Sequence, residues 1–245
     1  MVRNKFDQQL KELNHQMVHM GKLCELAITN AATALASGSA ATAQQVIRAD
    51  AHIDQAERDI EHLCMKLLLR QQPVARDLRQ ISAALKMITD LERIGDQAAD
   101  IAEIVLTSQM PGMAGFPKII DMAQCVTRMV ADAISAYVDR DVALSSAVVD
   151  TDAIVDDLFT HIRSELIEFI VQSGHQYLRG SADEDCAQAD CLEASEEAQR
   201  AIDLMMITKY LERIGDHATN VAEWVAFSIT GVHSGRFDAK DTPSQ

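Results

Sequence analysis

The chain has 245 residues, 48% of them hydrophobic but only 4% aromatic, and a formal net charge of −15. That length accommodates one large domain or two of ordinary size, and abundant Ala, Leu, Ile and Met with scarce Gly and Pro describe helices packed through small and aliphatic side chains. The charge argues against nucleic acid or an anionic membrane surface as a main partner, because both carry the same sign, and it suits cations or a basic protein surface.

The first helix is expected from Phe6, where apolar residues at Leu10, Leu13, Met17, Met20, Cys24, Ala27, Ile28 and Ala31 keep three-and-four spacing until Ser37-Gly38-Ser39 breaks it. A second runs from Ala40 to Arg70 with Val46, Ile53, Ile60, Cys64, Leu67 and Leu68 on one side, and Pro73 ends it. The third spans Val74 to Thr107. Two Pro and two Gly within residues 111–117 then mark the best boundary in the sequence.

Beyond it the order repeats, with helices expected at 118–140, 144–172 and 192–230. The expectation is therefore an all-α protein of two tandem, duplicated three-helix bundles, 1–110 and 118–232. Residues 111–117 would link them, and the polar stretch 233–245 would form a flexible tail. No segment approaches the roughly 20 uncharged apolar residues that cross a bilayer. The N-terminal residues also lack the apolar run and cleavage site of a secretion signal, so a cytoplasmic protein is expected. Five widely spread cysteines, Cys24, Cys64, Cys125, Cys186 and Cys191, read as free thiols rather than disulfides or a thiolate metal site.

The duplication is written most plainly in Leu91-Glu92-Arg93-Ile94-Gly95-Asp96, which returns letter for letter as Leu211-Glu212-Arg213-Ile214-Gly215-Asp216, 120 residues later. In the middle helix of each unit, Asp50-Ala51-His52-Ile53-Asp54 resembles Asp152-Ala153-Ile154-Val155-Asp156 at an offset of 102. The difference leaves 18 extra residues in the second unit, expected as an exposed acidic loop around Ser173 to Asp190.

On a helix, Glu92, Asp96 and Asp100 drift by only about 40° and rise about 6 Å per step, forming a carboxylate ladder on one stripe. The apolar residues Ile88, Leu91, Ile94, Gly95, Ala98, Ala99, Ile101, Ala102 and Val105 cover the adjoining arc, so the ladder borders the packing face rather than opposing it. A middle helix on that side would bring Asp50 and Asp54 to face the ladder and close an all-oxygen site. Like charges four residues apart repel by a few tenths of a kcal/mol, a cost that a cation reverses. Oxygen donors without His or Cys favour Mg²⁺, Mn²⁺, Ca²⁺ or oxidised iron over copper or structural zinc. Gly95 and Gly215 imply close backbone approach, since a mid-helix Gly costs about 1 kcal/mol against Ala. Arg93 and Arg213 are expected to pair with acids on a neighbouring turn, and His217 to be a surface or packing residue. Asn220 stands where the first ladder has Asp100, so the second site is expected to be the weaker.

The two LERIGD motifs, the turn Gln71-Gln72-Pro73-Val74-Ala75-Arg76-Asp77-Leu78-Arg79, and the run Tyr210 to Glu223 together resemble the PhoU family of phosphate-specific transport system accessory proteins, over nearly the whole chain. The resemblance implies two three-helix bundles with E(D)xxxD motifs that can hold multinuclear metal clusters. Here the motif positions are Glu92, Asp96, Asp100 and Glu212, Asp216, Asn220, with Asp50, Asp54, Asp152 and Asp156 on the neighbouring helices. Iron, manganese, magnesium or zinc are the ions it implies. It also implies a homodimer that negatively regulates phosphate uptake and the phosphate-starvation (Pho regulon) response. Such a protein would link the ATPase of the phosphate ABC transporter to a sensor histidine kinase, and would meet the membrane only through those partners. The acidic insert and Asn220 depart from the family's usual pattern.

Catalysis is not expected. A carboxylate di-iron oxidase needs two Glu-x-x-His pairs, and only Glu12-Leu13-Asn14-His15 fits; there is no Gly-rich phosphate loop and no GxSxG elbow. A metal-binding helical scaffold or storage protein with other partners is the competing reading.

Overall fold

The computed structural model describes residues 2–71, 74–108, 116–180 and 184–232, with side chains at 6–69, 74–108, 116–173 and 195–232. Helices α1 (Val2–Ser37), α2 (Ala40–Gln71), α3 (Ala75–Thr107), α4 (Pro117–Asp139), α5 (Val142–Gly180) and α6 (Glu184–Thr230) follow in chain order. The described residues contain no strand, so the all-α expectation holds. Residues 111–115 of the expected linker and the expected tail at 233–245 lie outside the described residues.

The acidic insert, expected as a loop, is helical at 173–180 and 184–190. Helix α5 runs on to Gly180 and α6 begins at Glu184, so that the two reach 39 and 47 residues where α2 and α3 have 32 and 33. The breaker signals misled because a Gly inside a helix costs only about 1 kcal/mol. The acids at 184 and 185 suit the positive end of a helix dipole as well as they suit a loop.

The same turn device opens the middle helix of each unit. Gly38 and Arg140 both take left-handed backbone, with φ of 67° and 55°. The next residue then caps the following helix: Ser39 Oγ accepts from the Thr42 amide at 3.2 Å, and Asp141 Oδ1 accepts from the amides of Ala143 and Leu144 at 2.9 and 3.0 Å.

Within each unit the helices pack all against all, and the units join where α3 meets α6 and where α1 meets α4. Ser108 Oγ, at the C-cap of α3, donates to Asp203 Oδ2 on α6 at 2.7 Å, while Asp90 pairs with residues 217 and 220 further along, so α3 and α6 run antiparallel. Asn14 Oδ1 accepts from both Gln80 Nε2 and the Tyr137 hydroxyl, tying α1, α3 and α4 together. Leu13, Met17, Ile28, Ile53, Ile60, Leu91 and Ile94 of the first unit join Val126, Val155, Ile207, Leu211 and Ile214 of the second in one continuous core. Each such side chain contributes about 1.5–3 kcal/mol by leaving water. The apolar stripe read from the sequence of α3 is buried as expected at Ile88, Leu91, Ile94, Gly95, Ala98, Ile101, Ala102 and Val105, while Ala99 at its edge is half-buried.

Candidate metal centre

Helix α2 places Asp50 and Asp54 one turn apart on the side that meets α3. Carboxylate oxygens of Asp50, Asp54 and Asp96 come within 4.8 Å of one another, which makes them the one such group among the described residues. Gly95 permits this approach. A β-carbon there would lie 2.8 Å from Ile53 Cδ1 and 2.9 Å from Asp50 Oδ1. The matching Gly215 is looser, with Val155 at 3.2 Å and Asp152 Oδ1 at 3.7 Å.

Asp50 Oδ1 is buried and has no hydrogen-bond partner. Burial, then the charges of Asp54, Asp96 and Asp100, push the Asp50 carboxyl up to about 6. Glu92 and Asp100 flank the group. Both are raised, Glu92 by burial and then Asp96, Asp100 by burial and then Glu103 and Asp96. Arg93 pairs with Asp96 at 3.2 Å, an acid on the neighbouring turn as expected, and also with the adjacent Glu92 at 3.5 Å. Exposed at 55%, it contributes under about 1 kcal/mol.

The second ladder is arranged differently. Burial raises the Asp216 carboxyl first, followed by the charges of Glu212, Asp152 and Asp156, with Lys209 acting the other way. Lys209 forms an ion pair with Glu212 and lies 5.3 Å from the centre of the Phe159 ring. Asp152 is 8% exposed whereas Asp156 lies at the surface. No three carboxylates converge here as they do around Asp50, among the described residues.

Asn220 does not extend the ladder as its counterpart Asp100 does. Its Nδ2 donates to Asp90 Oδ1 at 3.2 Å, and His217 Nδ1 meets the same oxygen at 2.9 Å. His217 is thus a packing residue of the joint between units. Arg213 faces across the same joint, where its charge partly offsets the rise at Asp100. Asp90 was not legible as a site residue, because the repeat sets Tyr210 in its place.

The first-unit residues fit a hard cation. They offer oxygen donors only, one of them carries an orphaned buried oxygen, and their mutual repulsion disfavours leaving three charges together. Among the described thiols, Cys24 and Cys64 are buried, Cys125 is half-buried, and all three are free. Cys24 Sγ donates to the Leu91 carbonyl at 3.2 Å. The side chains of Cys186 and Cys191 lie outside the described residues.

A PhoU domain matches the chain twice, over residues 17–105 and 119–225. A phosphate-specific transport system accessory protein PhoU homolog from Clostridium acetobutylicum is 33% identical over 233 residues, covering 94% of this chain and 97% of the relative. One from Pseudomonas putida is 31% identical over 232 residues, with 94% and 82% covered. The crystal structure of PhoU from Pseudomonas aeruginosa superposes with a TM-score of 0.78 at 30% identity, over 93% of this chain and 100% of that one. The Streptococcus pneumoniae protein, at 24% identity and a TM-score of 0.77, shares the fold. With both repeats matched by the same domain, the chain belongs to the PhoU family.

Proposed function

We propose that this chain is a cytoplasmic negative regulator of phosphate uptake and of the phosphate-starvation response. It would couple the ATPase of the phosphate ABC transporter to its sensor histidine kinase and act as a homodimer. The observation that carries this reading is its likeness, along 94% of its length, to proteins named as accessory to phosphate-specific transport. Its chemistry is recognition rather than bond-making. A surface with a net charge of −15 meets basic faces of partner proteins, and no helix among the described residues is long and apolar enough to cross a membrane.

Metal ions belong to the same reading. Asp50, Asp54 and Asp96 would hold one, with Glu92 and Asp100 at its edge. Asp152, Asp156, Glu212, Asp216 and Asn220 are the corresponding residues of the second unit. A bound cation supplies the positive charge that lets α2 and α3 approach without repulsion. The donor set suits iron, manganese or magnesium better than zinc.

The orphaned oxygen of Asp50 also favours a second reading, a metal-binding scaffold or store with other partners. One experiment separates the two. In a bacterium lacking its own homologue, this chain should restore low phosphate uptake and repress a phosphate-starvation reporter in rich phosphate. If both stay at the deletion level while the protein accumulates, the regulator reading is wrong and the scaffold reading stands.

A further inference from the structure

In a chain with a net charge of −15, three arginines gather where the two units meet at one end. Arg76 and Arg79 lie one turn apart at the start of α3, and Arg140 is the left-handed C-cap of α4. Asn14, bonded to both Gln80 and Tyr137, ties α3 and α4 together beside them. Arg79 lies along the last turn of α6, where a β-carbon on Gly231 would meet its Cδ, Nε and Cζ at 3.5 Å. Of its guanidinium nitrogens, Nε alone is closed off without a partner. Burial and then the charge of Arg76 hold the Arg140 guanidinium below its ordinary value. Arg79 adds to this and only Tyr137 opposes it.

No acid of the chain neutralises this group. Among the described residues, none of the three arginines takes part in an ion pair. Of the acids nearby in sequence, Asp141 is engaged by the amides of Ala143 and Leu144, and neither Asp77 nor Asp139 pairs with an arginine. Like charges held together repel, and an anion among them turns that repulsion into attraction. The backbone adds to the attraction, because α3 begins without a side-chain cap and its first amides lie beside Arg76 at the positive end of the helix.

The repeat shows that the fold does not require these cations. The counterpart of Arg140 is Gly38, which takes the same left-handed backbone without the strain that a side chain adds. At the 120-residue offset, the counterparts of Arg76 and Arg79 are Glu196 and Gln199. The chain thus bears the cost of a left-handed side chain at the one end where two further guanidiniums stand.

We propose that Arg76, Arg79 and Arg140 form a binding site for a phosphoryl dianion, either free phosphate or the phosphate of a small monoester. Planar guanidiniums pair with such oxygens through parallel hydrogen bonds, and together they match both the charge and the several oxygens of one phosphoryl group. The site lies roughly 25–30 Å along α3 from Asp96. It needs no metal and is independent of the carboxylate cluster.

Inorganic phosphate and glycerol phosphate provide the test, each titrated calorimetrically into the full chain after chelation of metals, at low salt and slightly above neutral pH. Binding of one equivalent of either or both supports the site, and the better ligand identifies its source. Arg140→Gly should weaken that binding about tenfold or more, yet melt at or above the parent temperature because glycine suits the left-handed turn. Arg79→Gln should weaken it similarly, and Arg140→Lys, which keeps the charge but not the fork, should fall between. A helical circular-dichroism spectrum and a cooperative melt identify the variants that fold. Arg76→Gln, a change at an exposed side chain, repeats the test should either of the others fail to fold. Binding of neither ligand by the parent, or equal affinity in the parent and the folded arginine variants, overturns the inference.

Discussion

Asp50 Oδ1 lies against the Cα of Gly95, where an added β-carbon would come within 2.9 Å of it and within 2.8 Å of Ile53 Cδ1. The identical motif in the second unit leaves 3.2 Å at its nearest contact. The two glycines therefore answer differently to one substitution. Gly215→Ala should be neutral or stabilise by up to about 1 kcal/mol, the gain in helix propensity. Gly95→Ala should lose that gain to overpacking of order 1–3 kcal/mol and weaken cation binding by displacing Asp50. Chemical denaturation of both variants checks the order, and Gly95→Ala emerging as the more stable of the two would contradict the packing described.

The pH dependence has a definite sign. Asp50 is raised from an ordinary value of 3.8 to about 6, so the folded protein holds this proton more tightly than the unfolded chain. Its contribution to stability is complete below 3.8 and is lost as pH rises through about 6. Metal-free protein should therefore gain stability as pH falls from 7 towards 5, and Asp50→Asn should flatten that gain. Cation binding should move the opposite way, weakening below about 6 as the proton competes for Asp50.

Removing one carboxylate from each ladder separates ligand from structure. Asp96→Ala combined with Asp216→Ala should release metal from protein purified without chelators, as read by elemental analysis. Without metal, the variant should be as stable as the parent or better by a few tenths of a kcal/mol, because like charges have been thinned. The parent alone should gain stability on metal addition, about 2.7 kcal/mol at a hundred times the dissociation constant.

Asp90→Ala tests the joint between units. It leaves His217 and Asn220 without their shared acceptor, at a cost of about 1–3 kcal/mol. Asp90→Asn, which keeps one acceptor oxygen, should cost less. Urea unfolding checks this, and no loss in Asp90→Ala would remove the joint from the list of stabilising contacts.

The helical order was legible because the apolar residues keep a strict period. Helix α2 ends within a residue of its expected position, and the buried stripe of α3 matches the wheel almost residue for residue. The convergence of Asp50 and Asp54 on Asp96 followed from two repeats read together. Two features were hidden. The α5 and α6 extensions were masked by Gly and acidic residues that helices also tolerate. Asp90 aligns with Tyr210, so a search for what the repeats share passes over it. Such a residue depends on which helix lies opposite, and spacing along one helix carries no information about its neighbour.

The antiparallel seam of α3 and α6 has the geometry of a two-fold dimer interface enclosed in a single chain. Its halves are nonetheless no longer exchangeable. Paired with its own copy, the first unit would set Asp90 against Gln97 and Asp100, acid facing acid. The second unit paired with itself would offer Tyr210 to His217 and Asn220 and supply no acceptor carboxylate. The polarity of the seam fixes which half stands on which side, and so the molecule has a handed order of sites that a symmetric assembly of half-chains would lack.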